Sequence, residues 1–166
     1  MDLTGSRKIA ATRADVWNAI LSPDCLKACV PGCTEMSGSA ESGFEATVVQ
    51  KVGPVKATFK GRVTLSDMIS LTSLTLAGEG KGGAAGFAKG GAKVHLEEDG
   101  DCTVLHYHVE AKVGGKLAQL GSRIIDGFAK KMADQFFANL QVEIEGPDDI
   151  ASPAQKKKGW LNRLVS

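Results

Sequence analysis

The chain has 166 residues, which fits one domain plus a tail, and its apolar fraction of 43% is ordinary for a soluble globular protein. A formal charge of +1 gives no global field that would recruit nucleic acid or acidic substrates. No apolar run approaches the roughly 18–20 residues of a spanning helix, and residues 1–6 lack the basic and apolar regions of a signal peptide, so a cytoplasmic location is expected.

Residues 3–9 alternate as a first strand. Thr12 then starts a helix with Asp15 as its acidic partner, and Val16, Trp17, Ile20 and Leu21 supply the apolar stripe. Pro23-Asp24 opens a second short helix, which ends before Val30-Pro31-Gly32. A run of strands follows. Phe44, Ala46, Val48, Gln50 and Val52 share one face, and Gly53-Pro54 turns the chain. Val55, Ala57, Phe59, Gly61, Val63 and Leu65 then alternate against Lys56, Thr58, Lys60, Arg62 and Thr64, the pattern of a half-buried strand. Residues 67–70 are expected to turn into a strand over 71–80.

The stretch 77–91 is studded with glycine between two alternating segments. Gly78, Gly80 and Gly83 match the spacing of a dinucleotide loop, but a strand follows instead of a helix, and no Gly-Lys-Ser/Thr is present. Glycine inside strands marks bulges, bends or close approach of another body. The stretch therefore reads as a bent hairpin stripped of side chains, in a sheet built around a cavity. A bulky residue at Gly90 is expected to fill that space with little loss of folding.

Asp99-Gly100 is another turn signal. Thr103, Leu105, Tyr107, Val109, Ala111 and Val113 form the last inward face, with His106 and His108 facing outward. After Gly114-Gly115 the period becomes helical, with Leu117, Leu120, Ile124, Phe128, Met132, Phe136 and Leu140 at spacings of three and four. This predicts a single helix over 116–144, about 40 Å long, lying across the sheet. Residues 146–155 read as a linker.

The order of strand, two short helices, antiparallel strands and one long helix resembles the START-like helix-grip superfamily. The expected fold class is therefore α+β, a strongly curved antiparallel sheet wrapped around a long C-terminal helix. Four separated motifs narrow the resemblance: Val30-Pro31-Gly32-Cys33; Val52-Gly53-Pro54-Val55 with Phe59-Lys60-Gly61; Gly78-Glu79-Gly80 with Gly86-Phe87-Ala88-Lys89-Gly90; and Gly114-Gly115-Lys116-Leu117-Ala118-Gln119-Leu120-Gly121. Residues 1–145 resemble the CoxG-subunit family of carbon monoxide dehydrogenase. The resemblance implies a non-catalytic accessory protein for a molybdenum-containing carbon monoxide dehydrogenase or related hydroxylase. It also implies handling of quinone and attachment to the inner face of the cell membrane.

The residues themselves fit a binder better than an enzyme. The inward faces are almost wholly apolar, with Tyr107 and Gln50 as rare polar groups suited to orienting a quinone or lipid. The expected cavity wall is Phe44, Val48, Phe59, Leu74, Leu76, Tyr107, Val109, Ile124 and Phe128. No nucleophile signature appears and no redox cofactor is expected. A cyclase- or dehydratase-type enzyme on the same fold is the alternative. Cys25, Cys29 and Cys33, spaced by four, read as small packing residues, since they lack the paired motifs of a zinc site. The three histidines read as solvated outer-face residues.

The segment 156–166 has its own logic. Drawn as a helix, Trp160, Leu161, Leu164 and Val165 cluster among Lys156, Lys157, Lys158 and Arg163. Eleven residues reach only about 16 Å, too short to span a bilayer but able to lie at its interface. Membrane anchoring through Lys156, Lys157, Lys158, Trp160, Leu161, Arg163 and Leu164 is expected; docking to a partner protein is the alternative.

Overall fold

The computed structural model describes residues 1–146; the predicted linker beyond Gly146 and the tail lie outside them. Strand β1 (Asp2–Ile9) is followed by helices α1 (Arg13–Ile20) and α2 (Pro23–Cys29). Six strands come next: β2 (Cys33–Ser39), β3 (Gly43–Val52), β4 (Val55–Ile69), β5 (Ser73–Lys81), β6 (Phe87–Asp99) and β7 (Cys102–Gly114). Helix α3 (Ser122–Glu145) closes the domain. The strands form one antiparallel sheet in the order β1-β7-β6-β5-β4-β3-β2, which does not close into a barrel. A curved antiparallel sheet gripping a long C-terminal helix is the α+β helix-grip arrangement expected.

Local chemistry sets the short helices. Thr12 caps α1 by accepting from the Asp15 amide at 3.3 Å, and Ser22 caps α2 by accepting from Cys25, with Pro23 in its first turn. Both helices cover one end of the sheet. There Ile9, Val16, Trp17, Leu96, Leu105 and Leu140 form a fully packed core. Thr103 is buried in it, and its hydroxyl donates to the Ala11 carbonyl at 2.8 Å. The outer end of α3 joins this core through Phe137, Leu140 and Ile144.

Three elements depart from expectation. Strand β2 is an addition, since its small polar residues show no alternation. It is an exposed edge strand in which only Cys33 and Met36 are partly covered. Residues 67–69 do not turn; β4 runs on through a register shift between Ser66 and Ile69, with Asp67 at φ 50°. The long helix is also shorter than predicted. Gly115–Leu120 forms a 3-10 turn, and Gly121 at φ 88° breaks the chain before α3 begins. The remaining 24 residues reach about 36 Å.

Candidate functional site: a side-chain-poor cleft under the long helix

The pairing registers align the inward residues into rows across the sheet. One row is Ala46, Gly61, Gly80, Ala88 and Val113. The next is Phe44, Val63, Gly78, Gly90 and Ala111. Apart from Val63, glycine and alanine thus occupy the middle of the concave face on β4, β5 and β6, where an ordinary sheet would present branched side chains to its helix. Helix α3 does not fill the deficit. It comes nearest to the sheet at β1 and β3, the flanks, and spans the central strands between them. Facing residues are left only partly covered: Ala46, Val63, Gly80, Ala92 and Ala111 on the sheet, and Phe128, Ala129 and Met132 on the helix, are all half-buried. The buried residues of α3 all lie in its C-terminal half. One end of the domain is therefore a packed core and the other an apolar cleft.

Of the four glycines in these rows, Gly80 and Gly90 differ most in their reason to be glycine. A Cβ on Gly80 would find nothing nearer than the Lys60 carbonyl at 4.0 Å, so that position has room. A Cβ on Gly90 would fall on the Glu110 carbonyl oxygen and lie 2.8 Å from Ala111 Cα. Gly90 lets β6 and β7 approach, and the expectation that it tolerates bulk does not hold.

Val48, Phe59, Leu76, Tyr107, Val109 and Phe128 lie on the concave side and are half-buried. Phe44 is also on this face but buried. Leu74 packs into the core cluster. Ile124 sits at the cleft's edge beside the β3–β4 turn at Gly53 and is 42% exposed. Tyr107 stacks on Phe137 at 4.5 Å between ring centroids and crosses Gly5, where any Cβ would strike its ring, so its phenol reaches over the edge strand β1. Gln50 is less available than expected, since its amide nitrogen donates to the Pro31 carbonyl. Sequence reading missed Arg7. It is on the inward face of β1, and its guanidinium donates to Gln141 at 3.1 Å. The period-two alternation Leu3, Gly5, Arg7, Ile9 contained that signal. Arg7 lines a groove of about 510 Å³ between β1 and α3, with Lys130, Lys131 and Asp134. The Asp134 carboxylate, hydrogen-bonded to Lys130 at 2.9 Å, raises the lysine's pKa.

The histidines lie on the outer face as expected. His106 contacts Glu97 at 3.0 Å, and His108 contacts Asp2 at 2.5 Å. They line a second groove of about 550 Å³ with Thr4, Thr75 and Lys93, and Tyr107 borders it. Asp2, His108 and Glu110 bring one ligand atom each within 4.8 Å of one another, but Lys93 stands directly opposite His108 in register, an arrangement that disfavours a cation. All four cysteines are free. Cys25 and Cys29 face each other along α2 with sulfurs 3.9 Å apart. Their shared hydrogen bond lowers the Cys25 pKa. The same bond and burial push Cys29 upward. Among the described residues, no helix is long and apolar enough to cross a membrane.

Residues 5–145 match the model of the CoxG-subunit family of carbon monoxide dehydrogenase. The chain belongs to that family. Membership supports an accessory rather than a catalytic role in the context of carbon monoxide dehydrogenase. A conserved protein from Geobacillus kaustophilus is 28% identical, with a TM-score of 0.80 over 86% of this chain and 94% of its own. Proteins from Chromobacterium violaceum (15% identical, TM-score 0.64, 89% and 98% covered) and Thermus thermophilus (12%, 0.65, 85% and 94%) share the fold. No curated protein matches the chain.

Proposed function

We propose that this CoxG protein is a non-catalytic carrier that holds a hydrophobic small molecule, a quinone or a lipid, in the cleft between sheet and α3. It would serve a molybdenum-containing dehydrogenase at the inner face of the membrane, with residues 156–166 as the anchor. One observation carries the reading. Apart from Val63, the two central concave rows carry only glycine and alanine on β4, β5 and β6, and Gly80 leaves room that a branched side chain would have filled, stabilising the domain by about 25 cal/mol per Å² of apolar surface buried. Apolar walls with a few polar groups are the usual composition of a small-molecule site, and here Tyr107 at the β1 flank adds a hydroxyl. The bound molecule supplies the missing packing, and its ring or chain lies against Phe59 and Phe128.

Organic extraction of the purified protein followed by mass spectrometry tests this. A stoichiometric quinone or lipid is expected. Protein that comes free of any apolar molecule and takes up none from quinone- or lipid-containing vesicles refutes the carrier reading.

A further inference from the structure

The sheet's outer surface carries an arrangement that its own stability does not explain. In register, Lys51 stands directly opposite Lys56, Lys60 opposite Lys81, and Lys89 opposite Lys112. All six are exposed. Like charges directly opposite on paired strands destabilise a sheet, and here the arrangement occurs three times. None of the six has an ion-pair partner among the described residues. They share one end of the domain: the β3–β4 turn, the ends of β5 and β7 and the start of β6. Lys116 and Arg123 continue the set onto the 3-10 turn and the first turn of α3. Four acids are nearby: Glu45, which pairs with Arg62 at 3.3 Å, Glu79, which stands between Arg62 and Lys89, Glu110, two residues before Lys112 on the same face of β7, and Asp126 on α3. The opposite end is different. There Glu97, Glu98 and Asp99 meet His106, Arg13 and Lys8 at 3.0, 3.9 and 3.2 Å.

Apolar side chains break the surface at the basic end. Phe87 is 46% exposed, its ring laid over Gly114, and Ile124 is 42% exposed beside Gly53. The side-chain-poor rows open toward this same end. We infer that this end of the folded domain is itself a docking surface for an anionic lipid bilayer, separate from residues 156–166. The chemistry of the collar selects that occupant. Seven of its eight unpaired bases are lysines, and lysine is depleted in protein–protein interfaces whereas arginine is enriched. Compact ammonium charges around exposed Phe and Ile suit a diffuse layer of anionic headgroups, where each contributes about a fivefold gain in partitioning. Docking this way sets the cleft's open end against the bilayer. That consequence rests on the carrier reading above; the docking itself does not.

The test uses the full chain. One variant carries Lys60→Gln, Lys81→Gln, Lys89→Gln and Lys112→Gln; a second carries Lys156→Gln, Lys157→Gln and Lys158→Gln. Sedimentation is compared with phosphatidylcholine vesicles and with vesicles also containing phosphatidylserine. The collar variant is expected to lose roughly a hundredfold or more of its binding to the anionic vesicles. Its Tm is expected to rise by a few degrees, because the repulsion is gone, so that lost binding cannot be ascribed to unfolding. A collar variant that binds like the unmodified chain, while the tail variant does not, overturns the inference and leaves the tail as the anchor. Equal binding to neutral vesicles, or binding only to an acidic protein, overturns it too. Ligand extracted from the same preparations reports on the carrier reading independently.

Discussion

The roles of Gly80 and Gly90 can be separated by experiment. Replacing a strand glycine with alanine restricts the unfolded chain and gains about 0.5–1 kcal/mol where the site has room. Gly80→Ala meets that condition, with its nearest neighbour at 4.0 Å. Gly90→Ala does not: its Cβ would strike the Glu110 carbonyl and come within 2.8 Å of Ala111 Cα, and both are backbone atoms held in the β6–β7 ladder. Relief requires the strands to part, at a cost of about 1–3 kcal/mol. The entropic gain is common to both variants, so their difference isolates the steric term. At about 2–4 °C per kcal/mol, thermal unfolding should place Gly90→Ala some 2–12 °C below Gly80→Ala. Gly80→Leu should then stay folded and carry less ligand, because its side chain enters the cleft. Equal Tm values for the two alanine variants would refute the close-approach argument. Full ligand content in a folded Gly80→Leu protein would refute the placement of the site.

Most of the fold was legible because period-two alternation survives where one sheet face is covered. β3, β4 and β7 show it almost without interruption. β2 was not legible. As an exposed edge strand of Thr, Ser and Gly, it has no buried face to impress a pattern on its sequence. The helix boundary failed for a related reason. Leu117 and Leu120 continue the helical spacing, yet their 3-10 turn packs separately, and only the positive φ of Gly121 marks the break. The cleft was legible as missing side chains on β5 and β6. What sequence could not separate was glycine that leaves room from glycine that admits a neighbouring strand, since Gly80 and Gly90 differ only in how closely adjacent backbone passes. Arg7 was hidden by its chemistry: a charged residue on an inward face is discounted until an edge strand gives its guanidinium a way out to Gln141.

Alkylation at mildly alkaline pH should label Cys25 before Cys29. The bond from Cys29 favours the Cys25 thiolate, while Cys29 is fully buried and its pKa is raised; peptide mapping that finds Cys29 modified first would contradict this. Trp160→Ala should weaken sedimentation with anionic vesicles, and added salt should weaken it further, because aromatic insertion and charge act together at the interface; binding indifferent to both would remove the tail as an anchor. Thr103→Val tests whether the packed end and the cleft are separate. The substitution keeps the side chain's shape but removes the hydroxyl that donates to the Ala11 carbonyl at 2.8 Å in a fully buried setting. Losing that donor should cost about 1–3 kcal/mol, read as a lower Tm. The loss falls at the end where β1, β7 and α1 meet, while the cleft's central rows lie on β4, β5 and β6. Ligand content per folded molecule should therefore be unchanged at temperatures below unfolding. If Thr103→Val instead emptied the cleft while the protein remained folded, core and site would be one mechanical unit, and dividing the domain into a packed anchor and an open carrier would be wrong.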